Sequence, residues 1–246
     1  MAGSGSDPAR SRTALSRRVR ARASGGAARL LAASAALLAL AAPPGPAAAQ
    51  EAVRAGVAGA VVSPVEVSGP PRPEPVDAAT GMDMFLDDRI RTGEAARLQV
   101  MLLDETVFTV GPGSDLVIDR FVYDPDQGTG ELAGEMASGF LRYVSGQVGE
   151  NSPENVTIDT PAGTIGVRGT ALVIAEVPER ADTFFCGVLG PGRDNNALAR
   201  PGACLVSNAE GTAEVRRAGY GVYLTRGEPP GEPVAIPEGI LARMHT

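Results

Sequence analysis

Thr160-Pro161-Ala162-Gly163-Thr164-Ile165-Gly166-Val167-Arg168-Gly169-Thr170 is the stretch on which the reading of the fold turns. Pro161 begins a strand without needing a donor, and Ile165 and Val167 alternate toward one face. Gly163, Gly166 and Gly169 allow neighbouring chain to come close. The outline also suggests a phosphate loop, but Arg168 precedes Gly169 and no lysine precedes Thr170. The side chain that would reach the phosphates is therefore missing, and G-x-x-G-x-x-G is not the dinucleotide fingerprint.

The same period of two continues outward. Leu98, Val100 and Leu102 alternate with Gln99 and Met101; Phe108 and Val110, Leu116 and Ile118, Leu141 and Tyr143, and Val156 and Ile158 repeat it. Short alternating runs predict strands. Glycine-rich breaks at Thr92-Gly93, Gly111-Pro112-Gly113, Gly128-Thr129-Gly130, Ser145-Gly146 and Gly163 recur about every 17 to 19 residues. Such units stack either as rungs of a solenoid or as hairpins of a sandwich. The fold class is all-β, solenoid-like or sandwich-like, and spacing alone does not choose between them. Ala213 to Arg216 and Tyr220 to Leu224 read as a hairpin around Arg217-Ala218-Gly219.

Composition removes whole classes of chemistry. All 22 basic residues are arginine, set against 29 acidic ones, so lysine Schiff bases and lysine general bases are excluded. His245 is the only histidine, which excludes histidine-based triads and histidine-rich metal sites. The net charge of −7 is unevenly spread. Residues 1–49 hold seven arginines and the single acid Asp7, leaving 15 basic and 28 acidic residues beyond them, a net of −13. That balance opposes nucleic-acid binding.

The basic N-terminus is followed by the apolar run Leu30 to Ala42 and then Ala47-Ala48-Ala49-Gln50. These are the three parts of a secretory signal, with cleavage expected after Ala49. Thirteen helical residues span about 20 Å, short of a hydrocarbon core of about 30 Å. Four segments are expected: a signal peptide at 1–49, a proline-rich solvated linker at 50–81, a β-domain at 82–227, and a C-terminal tail at 228–246. The linker rests on Pro64, Pro70, Pro71, Pro73 and Pro75 with few large apolar side chains around them.

Cys186 and Cys204, an even pair in an exported chain, are read as a structural disulfide, since the C-x-x-C spacing of a redox pair is absent. Asp124-Pro125-Asp126-Gln127-Gly128 resembles the start of a calcium loop, but Thr129 stands where such a loop needs glycine, and a tight turn accounts for the composition. The adjacent acids Asp87-Asp88 and Asp104-Glu105 point to opposite faces if they lie on strands. No catalytic constellation, cofactor or metal site is indicated.

The segment Thr160 to Thr170 closely resembles the T-P-x-A-x-x-x-V-R-G-T hallmark of the FecR domain, departing only at Ala162-Gly163. Asp104 to Ser114 is similar to that family's D-G-T-x-x-x-x-G-P-x-S strand pair, with Glu105 in place of the turn glycine. Phe121 to Pro125 and Gly139 to Gly146 resemble two further blocks. The likeness runs from about Met82 to Val177, and more loosely to Gly227. It implies an all-β periplasmic domain that binds another envelope protein as sensor, regulator or scaffold, without enzymatic activity. The best-known members are transmembrane anti-sigma regulators with a cytoplasmic helical domain. Here only about 29 arginine-rich residues precede the apolar run, so the carry-over stops at the fold and a protein-binding role. The alternative is a membrane-anchored anti-sigma-type regulator that keeps its N-terminal helix. Within the hallmark, Thr160, Pro161, Ile165, Val167, Gly169 and Thr170 are expected to shape the strands. Arg168 is expected half-buried and paired, with Asp159 or Asp119 as partner; gripping a partner's carboxylate is its alternative role.

Overall fold

The computed structural model describes residues 52–169, 171–190 and 202–244. The expected signal peptide and its cleavage site, Thr170 and His245 lie outside these residues. Alternation becomes eighteen strands in two sheets of nine among the described residues.

Sheet A contains β1 (Arg54–Val62), β4 (Asp83–Phe85), β6 (Arg97–Leu102), β7 (Val107–Val110), β10 (Phe140–Val144), β13 (Ala171–Glu176), β14 (Thr183–Gly190), β17 (Tyr220–Thr225) and β18 (Val234–Ala235). Sheet B contains β2 (Val65–Gly69), β3 (Arg72–Asp77), β5 (Arg89–Thr92), β8 (Asp115–Asp124), β9 (Thr129–Ser138), β11 (Val156–Thr160), β12 (Gly163–Arg168), β15 (Ala203–Asn208) and β16 (Gly211–Val215). From β4 to β18 and from β3 to β16, chain order and spatial order agree except that β4 lies outside β1 and β3 outside β2. The chain thus winds back and forth between two open sheets while advancing along them. Solenoid and sandwich are both present, as path and as layering.

Glycine-rich breaks mark the moves. Gly93 and Gly111 to Gly113 lie where the chain changes sheet, while Gly128 and the Pro161–Gly163 turn join neighbours within sheet B. Pairing is antiparallel throughout the described ladders except β9 with β11, which run parallel. A parallel pair cannot be closed by a tight turn. The chain leaves β9, crosses to β10, and returns through α1 (Gln147–Asn151) and a 3₁₀ turn, Pro153–Asn155.

Two sequence-based expectations are corrected. Over its described residues 52–81, the segment expected as a solvated linker is none: Ala55, Ala58, Val65 and Val67 are buried, and it supplies β1, β2 and β3. Small apolar residues at strand spacing form a core face that a search for large ones overlooks. Pro73 and Pro75 lie in β3, the outermost strand of sheet B, where lost donors are tolerated and further strand pairing is discouraged. Secondly, β16 and β17 do not form a hairpin; β16 pairs with β15 in sheet B and β17 with β14 in sheet A. Arg217-Ala218-Gly219 is a change of sheet.

Leu98, Val100, Phe108, Tyr143, Leu172 and Ile174 from sheet A meet Leu116, Ile118, Leu132, Ile158, Ile165 and Val167 from sheet B in one buried cluster. Phe108 and Tyr143 sit side by side with ring centroids 5.7 Å apart. A second cluster lies on the outer side of sheet A. Phe140, Val173, Ala175 and Phe185 are covered by Ile236 and Ile240 of the C-terminal segment, whose α2 spans Glu238–Ala242. Residues 228–246, expected as a tail, therefore dock in part on the sheet.

At the opposite end, Arg72 of β3 forms an ion pair with the fully buried Asp88. It also donates to the Asp83 carbonyl at 2.9 Å and lies over the Phe85 ring at 5.4 Å. Burial raises the Asp88 carboxyl above its ordinary range; the Phe85 N–H, at 2.7 Å, and the Arg72 guanidinium oppose that rise.

Candidate functional site: the signature residues around α1

The signature blocks are far apart in sequence, yet the fold gathers them around the crossover made by α1 and the 3₁₀ turn. Asp104 is buried at the turn between β6 and β7. Its carboxylate accepts hydrogen bonds from Thr106 N at 3.0 Å, Thr106 Oγ1 at 2.7 Å and Val148 N at 3.2 Å. Its carbonyl takes the Gln147 N–H at 2.8 Å, and Gly146 N donates to Thr106 Oγ1 at 3.1 Å. Thus the turn of one block holds the start of the helix that follows another. A β-carbon at Gly146 would lie 2.2 Å from both the Asp104 carbonyl oxygen and the Thr106 nitrogen, so only glycine permits this approach.

Tyr143 is buried beside the Thr106 and Ser145 hydroxyls, and burial pushes its phenol above the usual range despite them. It serves as a core side chain whose polar end meets the buried hydroxyls. Glu105, standing where the family pattern has glycine, keeps the left-handed conformation that glycine favours, with φ +69°. Asp104 and Glu105 do separate, one buried and one exposed, but a turn separates them instead of a pleat. The same holds for Asp88 and Asp87, the latter at φ +63°.

The hallmark forms the β11–β12 hairpin. Thr160 Oγ1 donates to the Gly163 carbonyl at 2.7 Å and accepts the Ala162 N–H at 3.3 Å, closing the turn around Pro161. Ile165 and Val167 are fully buried against sheet A. Arg168 points the other way and folds back over Gly166, where a β-carbon would meet its guanidinium at 3.0 to 3.2 Å. It donates to the Pro153 carbonyl at 2.7 Å and the Val167 carbonyl at 3.2 Å. Half-burial is as expected, but the partners are backbone carbonyls. Among the described residues neither Asp159 nor Asp119 pairs with it, and Asp159 instead accepts from Thr164 Oγ1 at 2.5 Å. Carbonyls compensate a guanidinium through hydrogen bonds without a buried carboxylate. Gly169, at φ +59°, turns the chain out of β12 next to the Gly149 carbonyl.

Asp104, Tyr143, Gly146 and Arg168 are therefore brought together as one support for the crossover that the parallel β9–β11 pair requires. The calcium-like motif at Asp124 resolves into a turn. Asp124 accepts from Asp126 N, Gln127 N and Gln127 Nε2 at 3.0, 3.2 and 2.9 Å, so both of its oxygens are engaged locally. Cys186 of β14 and Cys204 of β15 form a disulfide between the two sheets, buried on both sides.

A feature that the sequence reading missed lies on the outer face of sheet A. Beside the area covered by α2, a groove of about 380 Å³ is lined by Arg97, Arg142, Gln99 and Thr109, with Ala60, Val62 and Met244 completing its walls. The only sequence signal was that Arg97, Gln99, Thr109 and Arg142 hold the polar positions of alternating strands, which is also what any solvated face looks like.

No curated protein matches the chain. Two crystal structures of a protein described as a candidate anti-sigma factor from Parabacteroides distasonis are similar to it, at 17% and 16% identity with TM-scores of 0.41 and 0.40. The similarity covers 59% of this chain and 57% of theirs, so the chain matches a little over half of those proteins. The family model described as FecR protein matches residues 88–185, from Asp88 of the ion pair to Phe185 of β14. Residues 88–185 are thus similar to the FecR domain.

Proposed function

We propose that this chain is an exported regulatory module of the cell envelope, in which the FecR domain binds another envelope protein as sensor or scaffold and performs no catalysis. The observation that carries the reading is the FecR match itself, whose signature side chains converge on holding a crossover in place. Polar groups spent on backbone hydrogen bonds build a rigid platform for recognition. The buried Cys186–Cys204 bridge fits an oxidising compartment outside the cytoplasm. The arginine-rich start and the short apolar run at Leu30 to Ala42 support export, with Gln50 as the first mature residue.

The test is to express the full chain in a Gram-negative host, separate the compartments and sequence the N-terminus. The expected result is protein in the periplasmic fraction beginning at or near Gln50. An intact Met1 or Ala2 in the membrane fraction would overturn the cleaved form in favour of an anchored regulator. Site-specific photo-crosslinking from exposed positions in living cells is expected to give one discrete adduct with an envelope protein. Absence of any adduct across the surface would overturn the partner-binding role.

A further inference from the structure

We infer that the groove on the outer face of sheet A is a docking site for an extended acidic segment of a partner protein, gripped by Arg97 and Arg142. The inference rests on the partner-binding reading above and names the surface and its chemistry.

Four observations carry it. First, a single cross-strand row runs Ala60, Gln99, Thr109, Arg142 over β1, β6, β7 and β10, and Arg97 lies opposite Val62 in the adjacent row. The two arginines therefore enter one groove from different strands, about 10 Å or more apart at the backbone. Secondly, both are only half-buried, and neither has an ion pair or hydrogen bond among the described residues. Glu94, in the turn just before β6, makes no pair with Arg97. In a chain of net charge −7, two unpaired guanidinium groups lining one groove form a concentrated positive site. Gln99 and Thr109 between them add donors and acceptors suited to a peptide backbone.

Thirdly, the next cross-strand row on the same face is apolar: Val57, Met101, Val107 and Val144. Met101 is 44% exposed, and Val62 on the other side of the groove is 53% exposed. A small anion would satisfy the arginines and leave this strip bare. A chain with carboxylates and an apolar side chain covers both. Fourthly, the groove lies open across four strands, whereas a small-molecule pocket encloses most of its ligand. Met244, near the end of the segment that covers the neighbouring part of the face, also lines it.

The experiment uses the mature chain and three probes: the fluorescent peptide acetyl-EAELEAE, its glutamine counterpart QAQLQAQ, and citrate in competition. Binding is followed by anisotropy at low and moderate salt. The acidic peptide is expected to bind, with affinity falling as salt rises. Arg97→Gln and Arg142→Gln should each weaken binding about fivefold, and the double variant should abolish it, while Arg120→Gln on sheet B leaves it unchanged. Unaltered melting temperatures would establish that all variants are folded. No binding by the parent chain, or equal binding by the double variant, overturns the inference. Citrate binding as tightly as the peptide overturns the polypeptide occupant and makes the groove a small-anion site. If the double variant still gives the cellular adduct formed by the parent chain, the groove is wrong and the regulatory reading stands.

Discussion

The interior of the stack and the outer face of sheet A are built from the same strands, yet they obey different rules. Along β6, β7 and β10, inward residues are Leu98, Val100, Phe108, Val110, Leu141 and Tyr143, all buried; outward residues are Arg97, Gln99, Met101, Thr109 and Arg142, all at least partly exposed. Over the next two strands, β13 and β14, the contrast disappears. Ala171 to Ala175 and Thr183 to Val188 are buried at every position, because α2 and Ile236 cover the outer side there. Alternation marks strands wet on one face, and a continuous apolar run marks strands dry on both. The outer face is thus divided between an area the chain covers itself and an area left polar and open.

The largest expected effect tests the interior. Phe108→Ala should lower stability by about 4 kcal/mol, because a fully buried ring packed beside Tyr143 leaves a cavity that two sheets cannot close. Chemical denaturation measures it, and a loss near 1 kcal/mol would break the picture of one tightly packed interior. Replacing Cys186 and Cys204 together by alanine should cost about 3 kcal/mol through the 18-residue separation they span. The same loss should follow reduction of the parent protein under denaturing titration.

The covered part of the outer face should matter less. Ile240→Ala is expected to cost about 2 kcal/mol and to raise hydrogen exchange over residues 234–244 before the rest of the chain. A loss equal to that of Phe108→Ala would make the C-terminal segment part of the core. Smaller again, Arg168→Ala should cost about 1 kcal/mol by removing the hydrogen bond to the Pro153 carbonyl. An unchanged melting temperature with loss of the cellular adduct would return Arg168 to the partner-binding role. The last prediction concerns pH. Since burial raises the Asp88 carboxyl in the folded state, the folded chain takes up a proton before the unfolded one does. Stability of the parent relative to Asp88→Asn should therefore rise as pH falls from neutral through the raised value, and level off below about 3.8. A relative loss over that window would mean that the Arg72 ion pair outweighs desolvation.

Much of the fold was legible. The period of two placed β6, β7, β8, β10, β11 and β12, and the hallmark placed its own hairpin, because a strand with one wet face writes its geometry directly into polarity. The first three strands were illegible for the opposite reason. Alanines and valines among prolines bury little area each, and composition alone reads them as linker. Asp104 and Arg168 illustrate the limit at the signature. Arg168 was expected to pair with an aspartate but is held by carbonyls, and Asp104 is held by N–H and hydroxyl donors, choices that depend on where distant backbone passes.

By itself, the sequence determined the all-β class, most turn positions and the lack of lysine- and histidine-based constellations, and it pointed to a bridge between two cysteines, since each follows from local periodicity or from residue types that are present or absent. Only the tertiary structure decided that two sheets share one winding path, that residues 54–77 belong to them, that α1 is pinned by Asp104 and Arg168, and that Arg97 and Arg142 line one groove. Those facts depend on which strands become neighbours. Neighbours across a sheet are set by register and burial over tens of residues, not by anything a local pattern records.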